Sequence, residues 1–81
     1  MFRSWYKTFV LTEGTPLGER IQEAREAAGY TRAELALKAL STEAAVRLWE
    51  TGQREPRLKY LKRIADATGR SLSWFFEEVA A

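Results

Sequence analysis

Residues 31–52, TRAELALKALSTEAAVRLWETG, decide the fold. They read as two short helices joined by a tight turn. The first opens with Thr31 as N-cap and Glu34 three positions on, the spacing at which each side chain can bond a backbone N–H that the first turn leaves unpaired. Leu35, Ala36 and either Ala39 or Leu40 then form an inward stripe. A second start signal, Ser41 and Thr42, follows at once. Val46 and Trp49 give the second helix an i, i+3 apolar edge, and Gly52 offers a left-handed stop. Helices this short are unstable alone and must share a core with the rest of the chain.

The 81 residues make one domain. A domain of this size buries only about 60% of its unfolded surface, which favours a compact all-helical core, and 46% hydrophobic residues are enough to build one. With no cysteine in the chain, disulfides and thiolate zinc sites are excluded, and an intracellular, cytoplasmic protein is expected. With no histidine, the commonest general base and metal ligand is missing as well. Neither a nucleophile–base pair, nor a metal cluster, nor a phosphate-binding glycine loop can be assembled, so no enzyme, metal or cofactor is expected. Residues 1–11 interleave Arg3 and Lys7 with polar residues, which argues against a signal peptide, and no apolar run is long enough for a membrane span.

The net charge of +2 says less than its distribution. Residues 54–63 carry Arg54, Arg57, Lys59, Lys62 and Arg63 against Glu55, whereas residues 13–26 carry Glu13, Glu19, Glu23 and Glu26 against Arg20 and Arg25. Such polarity suits a protein that turns one face to a polyanion, although solvated helix faces would read the same way.

Outward from the central pair, Thr15 and Pro16 form a helix start, proline being suited to the first helical position. That helix is expected to run to about residue 28, with Leu17, Ile21, Ala24 and Ala28 on one face and Gly29 as its stop. Beyond a loop at 53–56, Leu58, Leu61, Ile64 and Ala65 mark a fourth helix ending at Gly69. Ser71 caps a last short helix carrying Leu72, Phe75 and Phe76. Residues 1–14 form a separate N-terminal arm in which Phe2, Trp5, Tyr6 and Phe9 fit a helical stripe, while the aromatic and β-branched content favours an extended strand. The expectation is an all-α, five-helix domain over residues 15–81, preceded by this aromatic arm.

The helix order, together with LGERI at 17–21, Arg25, AGYTR at 28–32, ELA at 34–36, Val46, WE at 49–50, Gly52, REP at 54–56, Leu61, Ala65 and SLSWFF at 71–76, resembles the lambda-repressor-like helix-turn-helix family, the Cro/C1 or xenobiotic-response-element type. The resemblance spans residues 15–78 without a gap. It implies a sequence-specific, double-stranded-DNA-binding transcription regulator, a repressor acting as a homodimer on a two-fold operator, with the helix at about 43–51 in the major groove. It also implies an ion pair between Arg25 and Glu50. The chain departs from the family pattern at Leu40, where glycine is usual in the turn, and at Arg32, where glutamine is usual. Few amide donors stand on the reading face.

The implied DNA-facing set is Thr31, Arg32, Thr42, Glu43, Ala44, Arg47, Leu48, Arg54 and Arg57. Arg32 stands at a helix start that favours phosphate, or is merely solvated. Thr42 caps the second helix and can touch phosphate. Glu43 can accept from a cytosine N4 amine, or simply complement the helix dipole, and the Ala44 methyl can meet that of thymine. Arg47 can reach phosphate or base. Arg54 and Arg57 fall beside the backbone or minor groove by resemblance, with loop solubility as the plain alternative. Lys59, Lys62 and Arg63 cannot all share one face. A different class of function, a protein-interaction module such as an antitoxin-like or polymerase-binding adaptor, is favoured by the aromatic arm, which could dock a protein partner, and opposed by the basic stretch.

Overall fold

The computed structural model describes residues 16–77. It contains four α-helices, α1 (Pro16–Ala27), α2 (Arg32–Ala39), α3 (Glu43–Glu50) and α4 (Leu58–Thr68), followed by a 3-10 turn, Leu72–Phe76. Among the described residues there is no strand, and no helix is long and apolar enough to cross a membrane. The arm expected at residues 1–14, and the Thr15 cap, lie outside the described residues.

One cluster holds the helices together. Ile21 and Ala24 of α1, Leu35, Ala36 and Ala39 of α2, Val46 and Trp49 of α3, Leu61, Ile64 and Ala65 of α4, and Phe75 of the 3-10 turn are all buried. Four of the eleven are alanines, which let short helices approach closely around a few large side chains. The start of α1 comes very close to the end of α3. A Cβ on Gly18 would lie 2.6 Å from the Trp49 carbonyl oxygen and 2.7 Å from that of Glu50, so only glycine fits.

Three sequence expectations need correction. The last element is a short 3-10 segment rather than an α-helix: Ser71 caps it by accepting from the Trp74 amide at 3.3 Å, but aromatic residues 74–76 are weak helix formers and the segment is only five residues long. The turn is held from outside, with the Arg20 and Arg70 guanidiniums 4.6 and 4.2 Å from the Trp74 ring centroid. Ala28 is exposed because α1 ends at Ala27. Leu58 and Phe76, apolar residues that mark the fourth and last helices in the sequence, are also exposed, since each sits at an end of its element where the apolar stripe has left the core.

Leu40 resolves the choice left open at the end of α2. Ala39 is buried and Leu40 is 69% exposed. Its backbone is left-handed, φ 57° and ψ 48°, the one non-glycine with positive φ among the described residues. The conformation closes α2: the Leu40 amide donates to the Leu37 carbonyl at 3.2 Å and the Ser41 amide to the Ala36 carbonyl at 2.9 Å. A leucine there carries roughly 1–2 kcal/mol of backbone strain. Leu40→Gly should therefore raise stability, by roughly 0.5–1 kcal/mol after the added freedom of the unfolded glycine is subtracted. Thermal melting of the two proteins checks this; a lower melting temperature in the variant would show that the exposed side chain makes a stabilising contact.

Candidate nucleic-acid interface

Side-chain caps fix the starts of both helices of the α2–turn–α3 unit. The Thr31 hydroxyl accepts from the Glu34 amide at 3.1 Å, and the Glu34 carboxylate accepts from the Thr31 amide at 2.8 Å, completing the reciprocal cap that the spacing predicts. Two residues after Leu40, the Thr42 hydroxyl accepts from the Ala45 amide at 3.1 Å and starts α3. At the far end Gly52, with φ 80°, donates to the Trp49 carbonyl at 3.3 Å. The Gln53 and Arg54 amides both donate to the Leu48 carbonyl, at 3.0 and 3.2 Å, so the loop folds back over the last turn of α3.

The orientation of α3 is set by a buried charge. The Glu50 side chain is fully buried, yet it is ionisable and must be paired. Arg25 of α1 grips both carboxylate oxygens with one edge of its fork, Nε donating to Oε2 at 2.6 Å and Nη2 to Oε1 at 3.2 Å, while its Nη1 donates to the Tyr30 carbonyl at 3.0 Å. This pairing is the one expected by resemblance. A second guanidinium was not: Arg32 Nε at the start of α2 donates to Glu50 Oε1 at 2.9 Å. One carboxylate thereby joins three helices. The sequence reading offered Arg32 as a phosphate contact or a solvated side chain, and it is first of all a ligand of Glu50. Nothing in local spacing carries that pairing, because the two residues are eighteen apart and meet only when α2 and α3 fold together.

The opposite side of α3 faces solvent. Glu43, Ala44 and Arg47 are exposed and Leu48 is half-buried, one continuous stripe at i, i+1, i+4, i+5. Val46 and Trp49 point inward, as their spacing predicts. Glu43 and Arg47 form an ion pair, Oε2 to Nη2 at 3.5 Å. Beside α3, Arg54 and Arg57 line a concavity of about 240 Å³ together with Ser41, Ala45, Trp49 and Tyr60. The structure thus brings both loop arginines to the flank of α3, whereas the remaining basic residues of α4 divide. Arg63 Nη1 caps α2 by donating to the Ala39 carbonyl at 3.3 Å, Lys59 Nζ stands 5.1 Å from the Tyr60 ring centroid, and Lys62 is exposed.

The sequence profile described as Helix-turn-helix matches residues 21–75. The chain belongs to this helix-turn-helix family, of the lambda-repressor-like Cro/C1 type. Similar solved structures include the restriction-modification controller protein C.AhdI from Aeromonas hydrophila, 28% identical with a TM-score of 0.71, covering 75% of this chain and 92% of that one. The c2 repressor of P22, solved in complex with a synthetic operator, is 25% identical with a TM-score of 0.69, over 73% of this chain and 89% of that one. Hydroxypropylphosphonic acid epoxidase from S. wedmorenis is 31% identical with a TM-score of 0.69 over 82% of this chain, but that match covers only 35% of the epoxidase. No curated protein matched significantly. The helix-turn-helix unit therefore recurs both in compact regulators and as one part of a longer enzyme, so function rests on the surface this copy presents.

The Glu50 network makes an ordered stability prediction. Glu50→Gln leaves two guanidiniums facing a neutral amide and should cost roughly 3 kcal/mol or more. Arg25→Met should cost a comparable amount, and Arg32→Met, whose parent side chain is 33% exposed, about 1 kcal/mol. Denaturant unfolding measures all three, and losses below about 0.5 kcal/mol for Glu50→Gln would show a pair that solvent already screens.

Proposed function

We propose that this helix-turn-helix chain is a DNA-binding transcription regulator, a repressor working in the cytoplasm as a homodimer on a two-fold operator, with α3 in the major groove. The observation that carries the reading is the two-sidedness of α3. Its inner face is locked into the core through Val46, Trp49 and Glu50, while Glu43, Ala44, Arg47 and Leu48 stand outward as one stripe, flanked by Arg54 and Arg57. The operator bound by the P22 c2 repressor supports the same use of the fold.

In this reading phosphates are met by Arg54 and Arg57, by the Thr31 and Thr42 ends of the two helices, and by the part of the Arg32 fork that Glu50 does not take. Glu50 then serves as the anchor that aims Arg32 at the backbone. Base edges fall to Glu43, Ala44, Arg47 and Leu48, with the Ala44 methyl and the Leu48 side chain suited to thymine methyls. The arm, residues 1–14, with Phe2, Trp5, Tyr6, Phe9 and Val10, supplies apolar surface for contact with a second subunit or another protein.

A protein-interaction module is the second reading, favoured by Leu37 and Leu40, which are 75% and 69% exposed on the outer side of α2 and its turn. The two readings separate on salt. Arg54→Ala and Arg57→Ala should each weaken binding to selected and random duplexes alike and flatten the slope of log affinity against log salt by about one unit. Selection from a random duplex pool followed by a salt titration gives both numbers. Absence of any duplex affinity at low salt, with Leu37 or Leu40 substitutions abolishing capture of a protein partner, would favour the interaction module.

A further inference from the structure

The outward stripe of α3 is poor in hydrogen-bonding groups. Ala44 and Leu48 have none, and the Thr51 hydroxyl, one turn beyond Arg47, donates back to the Arg47 carbonyl at 2.9 Å. Direct reading of base edges from this helix therefore falls to the Glu43 carboxylate and the Arg47 guanidinium. These two are not independent. They stand at i, i+4 and are paired at 3.5 Å, with side chains 54% and 51% exposed.

An exposed pair of this kind contributes little to folding. Its consequence lies in what each charge does at the DNA surface. A lone arginine on a helix in the groove has two competing targets, the guanine O6/N7 edge and the phosphates on either wall, and the phosphates carry full charge. A carboxylate beside it neutralises the guanidinium and holds one edge of its planar fork, leaving the other edge for a bidentate acceptor. The same carboxylate is repelled by phosphate, so the pair is at ease only over the floor of the groove.

Resting on the DNA-binding reading above, we propose that Glu43 is a positioning residue that makes Arg47 a guanine reader: it acts on sequence preference through Arg47 and suppresses the phosphate contact that Arg47 would otherwise make. The specificity element of α3 is the pair, and the half-site it selects contains a guanine opposite Arg47. An acidic residue on the DNA face thus lowers affinity for random sequence while sharpening the choice of base.

The experiment selects a duplex from a random pool with the wild-type chain, then measures affinity for that duplex, for the same duplex with the guanine replaced, and for random duplex across a salt series. The proteins are wild type, Glu43→Ala, Arg47→Ala and the double variant. Glu43→Ala should reduce discrimination at the guanine roughly tenfold. Its affinity for random duplex should rise, with a salt slope steeper by about one unit because Arg47 has moved to phosphate. Arg47→Ala should lose the same guanine preference, and the double variant should match Arg47→Ala. Melting temperatures should fall by no more than a few degrees throughout, the size of a lost helix-dipole contact at Glu43, which separates the effect from a folding defect.

A Glu43→Ala protein that keeps its guanine preference and salt slope, and changes only at a position where cytosine had been selected, would overturn the proposal and make Glu43 an independent reader of the cytosine amine. A wild-type selection without guanine would overturn it while leaving DNA binding intact. Failure of every protein to bind any duplex would overturn the DNA-binding reading, and this inference with it.

Discussion

A carboxylate with no solvent exposure stands at the junction of three helices. Glu50 closes α3, Arg25 reaches it from α1, and Arg32 reaches it from the first residue of α2, so the relative placement of all three follows from one hydrogen-bonded charge cluster. The cost of burying Glu50 is met only when both arginines are in register, which penalises any packing in which α3 is rotated or slid. The contribution is to uniqueness of arrangement more than to net stability. Hydrophobic packing alone, in a core where four of eleven members are alanine, would tolerate small displacements of α3.

The same region shows the contact constraint in its steric form. Gly18 permits the start of α1 to rest against the Trp49 and Glu50 carbonyls, next to the carboxylate that Arg25 holds from the following turns of α1. α3 is thereby fixed at its C-terminal end by charge and close backbone approach, and at its N-terminal end by the Thr42 cap and the left-handed Leu40. Strain at Leu40 is tolerated because the turn it makes is over-determined by two converging carbonyl contacts from α2. A rigid inner face leaves the outer face of α3 free to vary without loss of fold.

Much of this was legible in the residues. The capping box, the Thr42 and Ser71 caps, the Gly52 and Gly69 stops and the inward Val46 and Trp49 are all local signals, set by spacings of three or four, and the structure has them where the spacing puts them. The Arg25–Glu50 pair was reached through family resemblance. What periodicity misjudged were element ends, where Ala28, Leu58 and Phe76 carry apolar residues past the core, and the final helix, too short and too aromatic for more than a 3-10 turn. The Arg32–Glu50 bond was illegible for a different reason: eighteen residues separate its partners, and only the tertiary crossing of α2 and α3 brings them together. Among the site residues, the resemblance puts Glu43 and Arg47 on the DNA side of α3; their pairing with each other, and the approach of Arg54 and Arg57 to the flank of α3, are properties of the folded chain.

A core-locked α3 whose opposite face meets DNA can be checked in one titration. Backbone amide resonances of the isotopically labelled chain should be followed as an unlabelled selected duplex is added. Shifts are expected to concentrate at the amides of residues 42–45, 47, 48, 53–55 and 57, while the amides of Ile21, Leu35 and Val46 and the Nε–H groups of Arg25 and Arg32, both held by Glu50, change least and report that the Glu50 cluster stays intact. Shifts centred instead on Leu37 and Leu40, or on the 3-10 turn at Phe76, with residues 43–48 unmoved, would contradict the assignment of α3 as the DNA-facing helix.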